Sequence, residues 1–85
     1  MSLQPLELRV YRIVAELFDV PIERLSPASS PETIEMWDSV GHLNLVLALE
    51  QEFGVRLSTD QMDQMSDLER IVRILAVAEA TDVGK

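Results

Sequence analysis

The chain of 85 residues contains no cysteine. It can therefore form no disulfide, use no thiolate nucleophile and bind no metal through sulfur, and it needs no oxidising compartment. Long apolar runs are also lacking, because no stretch reaches the length of a membrane span and the N-terminus lacks the basic-then-apolar pattern of a signal peptide. We therefore expect a cytoplasmic protein without a membrane span, folded as a single domain over residues 1–85 with a modest core.

Basic residues are scarce as well. Lys and Arg together number 7 against 15 Asp and Glu, which gives a formal net charge of -8 and a pI near 4.4. This balance argues against nucleic acid as a partner, because its phosphates would repel the chain. It favours partners with basic docking surfaces, although a solvated acidic surface explains most of these charges on its own. The acids lack the spacing of a calcium-binding loop, so we expect no metal site.

Apolar residues recur at helical spacing in four segments, and no segment has the two-residue period of a strand. We predict helices at approximately 5–18, 39–53, 59–65 and 67–80. The sequence thus predicts an all-α protein, a small four-helix bundle with a short third helix and a long loop between the first two helices.

Residues typical of helix termini mark several of these boundaries. Pro5 suits a first helical turn, and Gly54 is typical of the residue that follows a helix C-terminus. Thr59 is the predicted N-cap of the third helix. Ser66 and Glu69 have the spacing of a capping box and mark the start of the fourth helix.

The long connection over residues 19–38 contains three prolines and three serines. A loop of this length is unusual in a compact domain and is often functional. Ser30 and Pro31 resemble the start of a capped helical turn over residues 31–35. The residues spaced to pack the loop against the core are Val20, Ile22 and Leu25.

The second predicted helix is apolar on two faces, which is typical of a helix at the centre of a bundle or of one that shows a face to a partner. The expected core stripe consists of Leu45, Val46, Leu49 and Phe53. The nearly opposite face consists of Val40, Leu43 and Leu47. Because so short a chain has little interior in which to bury both faces, we predict that this second face is a contact surface.

Ser39 stands at the entrance to this helix, directly after Asp38. Backbone N–H groups without helical partners point outward at a helix N-terminus and would stabilise an attached phosphate there. In one arrangement Asp38 caps the helix and leaves the Ser39 hydroxyl free to point outward. In the other, Ser39 is itself the cap and Asp38 is a solvated loop residue. The residues alone favour neither arrangement.

The segment "WDSVGHLNLVLALEQEFGVRLS" resembles the second-helix signature of acyl carrier proteins, in which an Asp-Ser-hydrophobic triplet leads into an apolar helix with an acidic end. The upstream loop and the later "D-L-x-x-I-V" helix follow in the same order, so the resemblance covers nearly the whole chain. It implies a four-helix bundle that carries 4'-phosphopantetheine on Ser39, with Asp38 in support, and that is not itself an enzyme.

The resemblance also implies partners. A phosphopantetheinyl transferase moves the group from coenzyme A onto the serine of such proteins, using magnesium held by the transferase. Enzymes that load and process acyl groups then use the terminal thiol of the arm, which carries the acyl group as a thioester. A carrier of this kind needs no cysteine because its reactive sulfur arrives on the cofactor. We expect the chain to act as a monomer.

The chain departs from the common family pattern around the serine. Val40 follows Ser39 where Leu is frequent, and the preceding loop reads "SPETIEMWDS" where many fatty-acid carriers have Phe and Leu-Gly. The exposed side of the second helix, usually rich in acids, is expected to present Gly41, Asn44, Ala48 and Gln51. These departures favour a stand-alone acyl carrier of a specialised pathway, such as polyketide, peptide or cell-surface biosynthesis, over a housekeeping fatty-acid carrier. Two alternatives stay open: a peptidyl or aminoacyl carrier, and an unmodified helical interaction domain.

Further candidates surround Ser39. Those for partner docking are Val40, Leu43, Leu47, Glu50, Asp60 and Asp63. Those for an acyl pocket are Trp37, Leu45, Val46, Leu49, Met62, Met65 and Leu68. Packing of the loop, filling of core gaps and a solvated face are the simpler roles of Trp37, of the two methionines and of the two aspartates. His42 could activate a serine nucleophile, but no oxyanion motif accompanies it, so we expect a packed or surface histidine and no catalytic residue.

Overall fold

The computed structural model describes residues 5–81 and consists of four α-helices. They are α1 (Pro5–Phe18), α2 (Ser39–Phe53), α3 (Thr59–Gln64) and α4 (Leu68–Thr81). A short 3-10 helix at Ile22–Arg24 lies in the long loop between α1 and α2 and was not predicted. No strand occurs within residues 5–81. The predicted all-α architecture, with a short third helix, is confirmed.

The bounds of α1 and α2 coincide with those predicted, and the residue after α2 explains why it ends where it does. Gly54 adopts a left-handed conformation with φ 65°, and its N–H donates to the Glu50 carbonyl. A residue with a Cβ is strained at such a φ, so glycine there ends the helix at low cost.

The start of α3 corrects one predicted cap. Ser58 rather than Thr59 is the N-cap, and its hydroxyl accepts from the Gln61 N–H at 3.1 Å. The Gln61 side chain in turn accepts from the Ser58 N–H at 2.8 Å, which completes a capping box. Gln61 lies at the position that this reciprocal pair requires relative to Ser58, and Thr59 therefore becomes the first helical residue. The helix ends at Gln64, one residue before the predicted end.

The start of α4 corrects a second cap. Asp67, not Ser66, caps the first turn: its Oδ1 accepts from the Arg70 N–H at 2.8 Å. The predicted capping box of Ser66 and Glu69 is therefore wrong, and the Glu69 carboxylate instead pairs with Arg73 at 3.2 Å. α4 accordingly begins at Leu68, one residue later than predicted.

The long loop closes onto the start of α4. The N–H groups of Leu68 and Glu69 donate to the carbonyls of Ser29 and Pro27, both at 3.0 Å. These bonds satisfy donors that a helix N-terminus otherwise leaves without partners. Apolar residues of the loop pack against the core as predicted: Val20, Ile22 and Leu25.

The predicted turn in this loop is also present. The Ser30 carbonyl accepts from the N–H groups of Thr33 and Ile34, both at 2.9 Å, and the Ser30 hydroxyl accepts from the Glu32 N–H at 3.2 Å. Ile34 is buried directly after this turn. The turn therefore directs the chain inward shortly before it reaches Trp37.

The core lies between the helices and takes one apolar stripe from α2. The predicted stripe is buried: Leu45, Val46, Leu49 and Phe53. α1 and α4 contribute further fully buried side chains: Val10, Val14, Leu68, Ile71 and Leu75. Burial of these groups leaves the first turn of α2, where Ser39 lies, at the edge of the bundle.

Candidate functional site

The N-terminus of α2 distinguishes the two arrangements that the sequence left open. Asp38 is the N-cap, and its Oδ1 accepts from the Gly41 N–H at 2.8 Å. Ser39 is the first residue of the helix and is exposed. Within residues 5–81, no side-chain hydrogen bond of Ser39 is formed. The hydroxyl is therefore accessible to another molecule, because Asp38 takes over the capping role.

A groove with a volume of about 620 Å³ lies beside Ser39. It is lined by Pro31, Trp37, Asp38, Ser39, His42, Met62, Asp63, Met65 and Ser66. The groove thus brings the serine together with three of the acyl-pocket candidates, Trp37, Met62 and Met65. The other four do not line it and lie in the core: Leu45, Val46, Leu49 and Leu68.

Trp37 is both a packing residue and part of this groove. Its side chain is only 2% exposed, and its ring stacks on that of Phe18 with centroids 5.7 Å apart. The indole Nε1 donates to Nδ1 of His42 at 3.0 Å. The packing role that the sequence suggested for Trp37 is present, and its side chain also lines the groove beside Ser39.

His42 has both ring nitrogens in hydrogen bonds. An indole N–H can only donate, so Nδ1 of His42 accepts from Trp37 and the ring carries its proton on Nε2. Nε2 lies 3.0 Å from the Met62 carbonyl and donates to it. With Nδ1 occupied, the imidazole has no free acceptor for the Ser39 proton. The expectation of a packed histidine is met, and the pairing with Trp37 is a contact that the sequence analysis missed.

Gly41 was predicted to lie on the exposed side of α2, and this prediction is wrong. Gly41 is buried, and a Cβ built on it would clash with the Met36 carbonyl oxygen and lie 3.0 Å from the Phe18 ring. Only glycine allows residues 36–37 to pack this closely over the first turn of α2. Gly41 therefore positions the segment that delivers Trp37 and Asp38 to the site.

The second apolar face of α2 is exposed, as predicted. The exposed fractions are 68% for Val40, 55% for Leu43 and 51% for Leu47. We call these three residues the α2 apolar surface. Met36, which precedes the helix and was not a candidate, is 58% exposed.

The acidic docking candidates fall into two groups. Asp60 and Asp63 are exposed on α3. Glu50 is half-buried, and its Oε2 accepts from the Leu57 N–H at 2.9 Å, so it holds the loop between α2 and α3. Glu52, near the end of α2, pairs with Arg9 of α1 at 3.3 Å. The exposed acidic candidates thus lie on α3, and the Glu50 carboxylate is engaged within the bundle. Glu52, which was not a candidate, is exposed and forms a surface ion pair.

Two further properties concern residues 5–81 as a whole. No three His, Asp or Glu side chains in this part of the chain are grouped so that they could hold a metal ion. None of the described helices is long and apolar enough to cross a membrane.

Comparisons with known proteins agree with this geometry. Residues 9–75 match the sequence profile of the family described as "Phosphopantetheine attachment site". No curated protein matches the chain significantly. The fold is similar to the solution structure of a holo acyl carrier protein from Geobacter metallireducens, with a TM-score of 0.83, 20% sequence identity, and coverage of 94% of this chain and 92% of that one. The chain belongs to the phosphopantetheine attachment site family and, as a carrier of 4'-phosphopantetheine with the fold of an acyl carrier protein, is not itself an enzyme.

Proposed function

We propose that Ser39 is the attachment site of 4'-phosphopantetheine and that the protein is a stand-alone carrier of acyl groups. The observation that carries this proposal is the cap of α2: Asp38 accepts the Gly41 N–H, and the Ser39 hydroxyl remains exposed. A serine that capped its own helix would have to give up that bond on modification. Here modification leaves the cap intact.

The surroundings of Ser39 suit a phosphodiester. The residue lies in the first turn of a helix of 15 residues, where the positive end of the helix dipole stabilises a negative group. The groove next to it can hold the arm or its cargo, with Trp37, Met62 and Met65 as apolar walls. When bound, the arm supplies a thiol that carries acyl groups as activated thioesters. The protein itself contributes positioning and presentation.

Partners of this carrier are a phosphopantetheinyl transferase and the enzymes that load and process the acyl group. We place their contact on the α2 apolar surface and on Asp60 and Asp63, because all of these residues are exposed. Val40 directly follows Ser39, and Asp63 lines the same groove as Ser39. Glu50 contributes less, since its carboxylate already holds Leu57.

We further propose a specialised biosynthetic pathway, a monomer and a cytoplasmic location. Support for the pathway comes from the exposed flank of α2, where Asn44 and Gln51 are uncharged and Glu52 is paired with Arg9. A partner tuned to a uniformly acidic helix would find few free charges there.

The test of the attachment site is a loading reaction on three proteins. The unmodified chain, Ser39→Ala and Ser66→Ala are incubated with coenzyme A, magnesium and a broad-specificity transferase, and their intact masses are measured. Ser66 is the matched control, because it is an exposed serine of the same groove. We expect one phosphopantetheinyl unit on the unmodified chain and on Ser66→Ala, and none on Ser39→Ala. No gain on the unmodified chain, or an undiminished gain on Ser39→Ala, would overturn the proposal.

A further inference from the structure

A chain of two hydrogen bonds forms part of the wall of the groove beside Ser39. The first runs from the Trp37 indole to Nδ1 of His42 at 3.0 Å, and the second from Nε2 of His42 to the Met62 carbonyl at 3.0 Å. The chain connects the α1–α2 loop, the first turns of α2 and the middle of α3. We call it the His42 latch.

The core behind the latch is closed to solvent. Leu45, Leu49 and Leu68 have no exposed surface, and Met65 has 1%. The Trp37 ring is held between Phe18, at 5.7 Å, and the His42 ring, at 6.2 Å between centroids. An alkyl chain that entered the core from Ser39 would have to displace these rings. It would also leave the Trp37 N–H without its partner, and a donor left without a partner in a buried position opposes such a change. The Met62 carbonyl would keep only its bond from the Met65 N–H, at 3.2 Å.

The groove in front of the latch has a different character. It is open to solvent, and its walls are mixed: polar at Asp38, Ser39, His42, Asp63 and Ser66, and apolar at Pro31, Trp37, Met62 and Met65. A long alkyl chain lying there would touch the apolar walls on one side and stay in water on the other, so it would gain less than in a closed core, whereas a short or hydroxylated acyl group would lose little hydration.

We propose that His42 is a specificity-determining residue that keeps the cargo in the surface groove and so favours short or polar acyl groups over long alkyl chains. This inference rests on the proposed attachment at Ser39. It makes the latch, and not the size of the core, the feature that determines which cargo is stabilised.

Chain-length dependence of thioester protection tests the proposal. The protein is loaded from acetyl-coenzyme A and from octanoyl-coenzyme A by a broad-specificity transferase, and intact mass confirms the attachment before anything else is measured. The rate of thioester cleavage by hydroxylamine is then divided by that of the same acyl-coenzyme A. Burial of only two additional methylenes would slow the octanoyl form roughly tenfold. For the unmodified sequence we expect the two normalised rates to agree within about twofold, a smaller difference than the burial of one methylene would produce. We also expect the acetyl and octanoyl forms to have equal melting temperatures.

Three variants connect the result to the latch. His42→Ala removes both bonds and opens space, so its octanoyl form should be cleaved several-fold more slowly than its acetyl form and should melt at a higher temperature. His42→Gln can still accept from Trp37 and donate to Met62, and it should behave like the unmodified sequence. Asn44→Ala is the control, an exposed position of α2 outside the groove.

Either of two results would overturn the inference: strong protection of the octanoyl group in the unmodified sequence, or chain-length independence that persists in His42→Ala. Failure of the proposed function would be seen earlier and separately, as the absence of any mass gain on Ser39.

Discussion

Asp38 gives the start of α2 two properties that can be separated, a hydrogen-bond acceptor and a negative charge. Asp38→Asn keeps an acceptor for the Gly41 N–H and removes the charge, whereas Asp38→Ala removes both. We expect Asp38→Asn to change the free energy of unfolding little, and Asp38→Ala to lower it by about 1 kcal/mol. If the charge also attracts the transferase, kcat/KM for loading of Ser39 should fall in both variants.

Urea unfolding and transferase kinetics on the two variants separate these roles. A loading rate for Asp38→Asn equal to that of the unmodified sequence would show that the aspartate acts only as a cap. Equal unfolding free energies for Asp38→Ala and the unmodified sequence would contradict the capping role.

Tyr11 gives the protein a predictable response to alkaline pH. Its side chain is buried in α1, and this burial, assisted by the negative charge of Glu7, raises the pKa of its hydroxyl above the ordinary 10.0. The folded state therefore holds this proton more tightly than the unfolded state does. Its contribution to stability is complete below pH 10 and is lost as the pH rises through the raised pKa of the folded protein.

We therefore expect the free energy of unfolding to fall as the pH rises above 10, and Tyr11→Phe to remove that slope. Tyr11 is the only tyrosine, so tyrosinate absorbance gives the titration of its hydroxyl directly. Lys85 is the only lysine, so few other side chains titrate in the same pH range. A tyrosinate titration with the ordinary pKa, or the same alkaline slope in Tyr11→Phe, would contradict this account.

His42 and Gly41 show what the sequence could not reveal about single residues. Periodicity places both on α2, but their roles depend on contacts with Trp37, Met62, Met36 and Phe18, none of which follows from helical spacing. The exposed state of Ser39, in contrast, is one of only two arrangements that capping chemistry allows for Asp38 and Ser39 at the start of the helix.

At the scale of elements, the α2 apolar surface allows a clear separation of docking from folding. Leu47→Asp places a charge at a position that is 51% exposed, so the melting temperature should change little. The loading rate of Ser39 should fall, because a charge on an apolar contact surface has to lose its hydration on docking. Val77→Asp on α4 is the matched control, since Val77 is 55% exposed and belongs to another face.

Thermal melting and transferase kinetics on the two variants decide the matter. We expect Val77→Asp to load at the rate of the unmodified sequence. If Leu47→Asp also loads at that rate, the α2 apolar surface is not where the transferase docks. A large loss of melting temperature in Leu47→Asp would show that Leu47 belongs to the core.

The helix termini mark the limit of what could be predicted for the elements. Each wrong cap was replaced by the preceding or following residue, which is also of a type that caps helices: Ser58 for Thr59, and Asp67 for Ser66. At α3 the selection is local, because Gln61 stands three residues after Ser58 and completes the capping box with it. At α4 tertiary contacts contribute to the selection. Those contacts are the bonds from the helix N-terminus to the carbonyls of Pro27 and Ser29, which join segments far apart in the sequence.

For the whole molecule, the net charge of -8 acts on two processes in opposite directions. Self-repulsion of the acids destabilises the folded state, so added salt should raise the free energy of unfolding. The same charge attracts basic partners, so added salt should slow their association with the protein. Screening acts over roughly 10 Å at 0.1 M salt. A salt series that records both quantities therefore distinguishes steering from a change in stability.

We expect kcat/KM for the loading of Ser39 to fall steadily across such a series while the unfolding free energy rises. Two variants that each remove one charge locate the attraction: Asp63→Asn beside Ser39, and Glu16→Gln in a different groove between α1 and the C-terminal half of α2. An exposed charge pair contributes less than about 1 kcal/mol, so Asp63→Asn should lower kcat/KM by at most about fivefold and flatten its salt dependence. Glu16→Gln should do neither. Equal effects of the two variants on kcat/KM would mean that the total charge alone steers the transferase. A loading rate unaffected by salt would mean that docking depends on the α2 apolar surface without help from the acids of α3.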